Sequence, residues 1–460
     1  MNELQKMFAK KKTENGDLSY NTTGDNLTDL FFMTPYFEKH LDQVHIGQSD
    51  KEKLFSMYVR DPRFGLGRRD LGRELMRLSQ VPFYDVVLAG RYDDLWHNPT
   101  DENLNYLRTK LNENDQLAKK WMPRLTGKDS KYAKALCKIW SLSEKEYRKL
   151  IKTDSTTEYK LSYAEKQDGS PLNELFNSNN YSHPLVDNII FEQVPSLAMK
   201  KYLHTFSTRD DLKDRFDEYM QQVKQNKKKI NVSTANVVDA KDVVGDWCPQ
   251  DYSENQEIFA SKIIDNATLG VDVNAIVILD TSGSMGWQES KGSLLWKAEA
   301  IAHAISTHSN YAKNQLISFS SRPRLMTIKG NTLQQQYHSM YTGDCSNTDF
   351  RAVMELLKQL RKFPKYLIVI SDMEFDRGSN QSKIETMRLF KQYEADTKIV
   401  WWNLNDRNKT VPEFDEYGNI FLSGYNLKLL TLLENNFDMT TYIDKILEKY
   451  KKDIEYVEQI

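Results

Sequence analysis

The stretch Ala275-Ile276-Val277-Ile278-Leu279-Asp280-Thr281-Ser282-Gly283-Ser284 runs five apolar residues straight into an Asp-x-Ser-x-Ser. A short continuous apolar run stopped by turn-forming residues reads as a strand buried on both faces, the kind a parallel sheet requires. The same alternation continues downstream. Leu294–Thr307 is helical in spacing, Gln315–Phe319 strand, Asp349–Lys362 helix, Tyr366–Ile370 strand, Ser382–Ala395 helix, Lys398–Trp402 and Ile420–Leu422 strand, and Leu427–Glu434 helix. A closing helix is expected around Tyr442 to Tyr450. Strand, helix, strand in this order predicts a doubly wound α/β domain over residues 271–460, with helices on both faces of a mainly parallel sheet.

In such a sheet ligands bind beyond the carboxyl ends of the strands, which is where Asp280, Ser282 and Ser284 must lie. One carboxylate and two hydroxyls are hard oxygen donors that suit Mg²⁺ or Mn²⁺, and they leave an octahedron incomplete. Two further oxygens are in sequence positions to help. Thr348 sits in the loop Cys345-Ser346-Asn347-Thr348-Asp349 ahead of a helix, and Asp372 follows the strand Tyr366–Ile370. The alternative is a plain turn in which Asp and Ser bond their own backbone, with Asp372 as a helix cap.

Upstream the pattern differs. From residue 28 to residue 226 apolar residues recur at helical spacing in short blocks: Leu71, Leu75 and Leu78 form one stripe, and Leu212, Phe216, Tyr219, Met220 and Val223 another, with Thr208 placed as its N-cap. Many helices without strands predict an all-α array of HEAT-like repeat type, a solenoid or ring of helix pairs, although no fixed period marks the repeats. Residues 1–27 read as an N-terminal extension. The polar stretch 227–270, rich in Asn, Asp, Ser and Thr, reads as a connecting region.

Composition narrows the function classes. The 460 residues hold 63 Lys and Arg against 65 Asp and Glu, so no global charge calls for nucleic acid and any basic surface is regional. Three widely spaced cysteines, Cys137, Cys248 and Cys345, argue against a disulfide framework and a cysteine zinc site. The histidines lack H-x-x-x-H spacing. No apolar run spans a membrane and no signal-peptide h-region follows Met1, which reads as a soluble, cytoplasmic protein.

Asp280, Ser282, Ser284, Thr348 and Asp372 resemble, in order and residue type, the metal-ion-dependent adhesion site of von Willebrand factor A domains. The helical part resembles Ro-type (TROVE) RNA-binding proteins in Arg60-Asp61-Pro62-Arg63-Phe64-Gly65-Leu66-Gly67-Arg68-Arg69-Asp70-Leu71. The likeness is closer still to a group of Ro-like proteins from viruses, bacteria and plants. It extends through Gly90–Leu95, Ala118–Arg124, Val194–Tyr202, Ser371–Phe375 and Trp402–Leu404. This resemblance implies a ring of helical repeats closed by an A domain, a Mg²⁺ (or Mn²⁺) ion at the five residues, and a ribonucleoprotein role in binding small or structured noncoding RNA.

Local charge points the same way. Residues 51–150 carry 21 Lys and Arg against 14 Asp and Glu, a surplus of 7. Arg60, Arg63, Arg68, Arg69 and Arg73 cluster, and Lys119, Lys120 and Arg124 flank Trp121, a pattern suited to phosphate neutralisation with base stacking. The alternative for this cluster is a solvated helix face or pairing with nearby acids. No positioned base accompanies the metal residues, so the reading is a binding protein and not an enzyme, with no DNA specificity and no membrane partner. Two other classes compete with RNA binding. One is a metal-dependent protein-interaction scaffold whose A domain grips a partner's carboxylate where RNA would offer a phosphate. The other is a phosphoesterase using Asp372, Glu374 and Asp376.

Overall fold

The computed structural model describes residues 49–61, 68–78, 92–153, 189–245, 252–343, 350–357, 363–372, 396–404 and 420–430, apart from isolated positions, with short pieces near both ends. Lys10–Lys12 (β1) and Leu18–Tyr20 (β2) pair as an antiparallel hairpin inside the expected extension. Beyond it the chain forms two compact units, one built mainly from Gln43–Tyr219 and the other mainly from Ala235–Tyr442.

The first unit is helical. Its elements are Asp50–Arg60 (α1), Arg69–Leu78 (α2), Asp93–His97 (α3), Asp101–Asn112 (α4), Gln116–Trp121 (α5), Ser130–Ile139 (α6), Glu144–Leu150 (α7), Ser196–Thr208 (α8) and Lys213–Lys224 (α9), whose last residues belong to the second unit. Their starts are written in the sequence. Ser49 with Glu52 and Ser143 with Glu146 form reciprocal capping boxes, and Asp115 accepts from the amides of Leu117 and Ala118. Helices α1 and α2 approach closely because Gly72 faces the Arg60 backbone, where a Cβ would lie 2.7 Å from Arg60 Cα. The stripe Leu212, Phe216, Tyr219, Met220 and Val223 is buried as its spacing predicts. Thr208 is not its cap. It closes α8, its hydroxyl donating to the His204 carbonyl at 2.8 Å, and α9 starts five residues later.

The stretch 227–270, read from sequence as a connecting region, holds two helices, Val237–Val244 (α10) and Glu254–Thr268 (α11). The residues that gave it a loop-like character are caps: Asn236 with Asp239, and Ser253 with Gln256. Both helices bury apolar side chains, among them Val237, Ala240, Ile258, Phe259 and Ile263.

The second unit carries a seven-stranded sheet. Its strands are Ala275–Asp280 (β3), Gln315–Phe319 (β4), Arg324–Thr327 (β5), Tyr366–Ser371 (β6), Lys398–Asn403 (β7), Glu413–Phe414 (β8) and Ile420–Ser423 (β9), in the order β5-β4-β3-β6-β7-β9-β8. The five inner strands are parallel and both edges antiparallel. The edge strands β5 and β8 escaped the sequence reading because neither is an apolar run. Helices Leu294–His308 (α12), Leu333–Ser339 (α13) and Phe350–Leu357 (α14) belong to this unit. Apolar side chains cover most of the circumference of α12, as a buried helix requires. One sheet face packs Ile276, Ile278, Ile317, Leu367, Val369 and Trp401 with Val353 and Leu357 of α14. The chain leaves β3 toward β4 on one side and reaches β6 on the other, so the strand order reverses at β3, and the ends of β3 and β6 are where sheets of this topology bind ligands. Among the described residues no helix is long and apolar enough to cross a membrane.

Candidate metal centre and the basic helical residues

Asp280 is the last residue of β3, and Asp372 follows the last residue of the adjacent strand β6. Parallel register sets Leu279 beside Ile370, which brings both carboxylates to the same end of the sheet. Asp280, Ser282 and Asp372 are buried, whereas Ser284 is exposed. The backbone amide of Ser282 donates to Asp280 Oδ1 at 2.9 Å, Ser371 Oγ donates to Asp280 Oδ2 at 2.6 Å, and the hydroxyls of Ser282 and Ser284 lie 3.1 Å apart. The amide of Thr281 donates to the Phe319 carbonyl at 3.0 Å, tying the loop to the end of β4. After a single 3-10 turn, Gly286 takes φ 85°, a left-handed turn that side-chain-bearing residues rarely adopt.

The electrostatics show what this arrangement lacks. Burial and then the charge of Asp372 push the Asp280 carboxyl up to about 7, against the hydrogen bonds from Ser371 and Ser282. Hydroxyls, an amide and a second carboxylate surround Asp280, and among the described residues no cation pairs with it. Two buried carboxylates with hydroxyls at their side form a hard oxygen donor set, which fits a hard divalent cation. Among the described residues no three His, Cys, Asp or Glu side chains gather into a metal cluster, so the donors here are carboxylate and hydroxyl together. The turn bond of the alternative reading is present too, since Asp280 does accept from the Ser282 amide. Thr348, Glu374 and Asp376 lie outside the described residues.

The basic set divides. Arg60 is 1% exposed, with its guanidinium 2.6 Å from Asp94 Oδ2. Arg73 reaches Asp94 Oδ1 at 2.5 Å and Asp93 Oδ2 at 2.9 Å. Burial alone would raise the Asp94 pKa, but the charges of Arg60 and Arg73 outweigh it and hold the carboxyl below its ordinary range. These two arginines join α1 and α2 to α3, and pairing with acids is the reading that holds for them. Lys119 is buried and bonded to the Asn114 side chain, so it too is corrected to an internal role. Lys120 lies half-buried with its ammonium 5.1 Å from the Trp121 ring, Arg68 is half-buried, and Arg124 is exposed. Arg69 opens α2, while its side chain, like the whole of Arg63, lies outside the described residues.

Two family models match the chain, both described as domains of unknown function: DUF7788 over residues 274–458 and DUF2828 over residues 94–246. A curated relative, uncharacterized protein L728 of Acanthamoeba polyphaga mimivirus, is 24% identical over 95% of this chain and 87% of its own length. Among solved structures, the Deinococcus radiodurans RO (RSR) protein aligns with a TM-score of 0.43 at 11% identity, over 90% of this chain and 94% of its own. The BatB protein of Bacteroides thetaiotaomicron aligns with a TM-score of 0.25 at 14% identity, over 38% of this chain and all of its own.

Two residues of the centre were not singled out from sequence. Ser371 supplies the shortest bond to Asp280, and its signal was available, a hydroxyl residue immediately before Asp372 at a strand end. Gln288 has no such signal. Its Oε1 accepts from the Thr342 amide at 3.0 Å and its amide nitrogen bonds the Glu299 carboxylate, which joins the loop after Ser284 to the segment leading toward Thr348.

Proposed function

We propose that this protein is a Ro-like RNA-binding protein whose helical domain, a ring or solenoid of repeats, takes noncoding RNA. Its C-terminal domain, of von Willebrand factor A type, holds Mg²⁺ at Asp280, Ser282, Ser284, Thr348 and Asp372. The observation carrying the metal assignment is the meeting of Asp280 and Asp372 at adjacent strand ends, with hydroxyls and, among the described residues, no cation around Asp280. RNA rests on the Ro-like sequence stretches and on the surplus of positive charge in residues 51–150. The hydroxyl ligands add no charge to that of the two carboxylates, and five protein oxygens leave one position of an octahedron open, so the bound ion would supply a coordination point for an outside phosphate or carboxylate oxygen. Ser371 and the Ser282 amide orient Asp280 for that role. This is binding chemistry and not catalysis.

One observation favours the scaffold reading. Arg60, Arg73 and Lys119 have internal partners, which removes three cations from the RNA-facing set. Crosslinking followed by sequencing of bound RNA decides between the two. A defined RNA population, with log affinity falling linearly with log salt, supports RNA binding. No RNA above background, together with wild-type behaviour of Arg68→Glu/Arg69→Glu, supports the scaffold. For the metal, calorimetric Mg²⁺ binding should vanish in Asp280→Ala, and unchanged binding overturns the assignment.

A further inference from the structure

A cavity of about 350 Å³ lies in the sheet unit, lined by Lys241, Gln288, Trp296, Glu299, Tyr337 and Tyr341, with Gln334 and Gln335 at its side. Resting on the RNA reading above, we infer that this cavity receives one nucleobase of a single-stranded RNA whose phosphate is held at the metal centre.

The chemistry of the walls selects the ligand. Lys241 and Glu299 are both buried and bond each other, so their charges cancel and the lining favours a neutral group over an ion. The Lys241 ammonium lies 4.2 Å from the Trp296 ring centre and 5.3 Å from that of Tyr337, which builds an aromatic wall whose cation is already in place. Tyr337 is 9% exposed, and its hydroxyl has no hydrogen-bond partner among the described residues. A buried phenol without a partner is costly, and a shift of the Tyr337 side chain toward the cavity would let a ring nitrogen or carbonyl of a base accept its proton. Planar rings for stacking, side-chain amides and one unmet donor suit a nucleobase edge, and the volume is at the small end of ligand pockets.

The cavity is also joined to the metal loop. Gln288, a wall residue, stands four positions after Ser284 and holds the Thr342 amide. On the two strands of chain that this bond connects stand Trp287, 75% exposed, and Tyr341, 43% exposed, which give neighbouring bases aromatic faces to stack on.

The test uses the full chain in Mg²⁺ with a short mixed-sequence single-stranded oligoribonucleotide and, separately, the four nucleoside 5′-monophosphates, followed by calorimetry. Tyr337→Phe keeps the ring and removes only the hydroxyl, and it should weaken the oligonucleotide and at least one monophosphate about fivefold. Gln334→Trp, which fills the cavity, should abolish monophosphate binding. Wild-type affinity of both variants for the oligonucleotide overturns the cavity assignment and leaves the RNA reading standing. Failure of the wild-type protein to bind the oligonucleotide overturns both, and thermal denaturation of the variants verifies that each is folded.

Discussion

Asp94 in the helical unit and Asp280 in the sheet unit are both buried carboxylates, and the fold treats them in opposite ways. Two guanidiniums meet Asp94, so its pKa falls below the ordinary carboxylate range. Asp280 meets hydroxyls, an amide and the like charge of Asp372, and its pKa rises to about 7. A buried charge compensated by the chain's own cations is architecture. One that meets no cation among the described residues is where the proposed ion would bind.

The largest effect should come from breaking the compensated side. Asp94→Asn strands Arg60 as a buried cation, and loss of one partner of a buried pair costs about 3–5 kcal/mol, to be read from urea denaturation. Asp280→Asn in metal-free protein should have the opposite sign, since it removes repulsion with Asp372. Destabilisation of similar size in both variants would end the contrast.

Next in size is a pH effect on another uncompensated group of the sheet unit. His303 is buried with Nε2 2.7 Å from Gln336 Oε1, and desolvation, with smaller contributions from the charges of His308 and Lys241, depresses its pKa to about 4 despite that bond. The unfolded chain takes up the proton near pH 6.5 and the folded one only near 4, so the stability His303 contributes is complete above 6.5 and is lost as pH falls toward 4. Relative to His303→Gln, the wild type should lose about 3 kcal/mol across that window, a comparison in which other titrating groups cancel. Asp94, with its depressed pKa, keeps its contribution until the pH drops below the usual carboxylate range.

Magnesium should sharpen the difference further. A site that binds only the folded state gains about 2.7 kcal/mol at a hundredfold excess over Kd, so thermal unfolding of the wild type should rise with Mg²⁺ while Asp280→Ala stays flat. Asp94→Asn should keep its response. The smallest effect belongs to the exposed cation Arg124. Arg124→Glu should change stability by less than about 0.5 kcal/mol, yet lower the salt slope of RNA binding by roughly one phosphate.

Much of the sheet unit was legible because its signals are local. Ala275–Leu279 and Tyr366–Ile370 are apolar runs with oxygen-bearing residues at their ends, and both became inner strands with those residues at the carboxyl end. Polar composition hid the two helices within 227–270, where Asn236 and Ser253 are polar because they cap them. Spacing also misplaced Thr208, which terminates one helix and does not begin the next.

The basic cluster exposes the deeper limit. Its composition is a property of the chain, but whether a guanidinium faces solvent depends on residues far along the sequence. Arg60 was a candidate phosphate ligand until Asp94, brought beside it by the packing of α1, α2 and α3, claimed its charge. The sequence by itself determined the inner strands and the donor types at Asp280, Ser282 and Asp372, because these follow from neighbouring residues and backbone periodicity. Only the tertiary structure decided that Arg60 and Arg73 are compensated while Asp280 meets no cation among the described residues, because a buried charge answers to whatever lies within a few ångströms in space, and the local pattern carries no record of it.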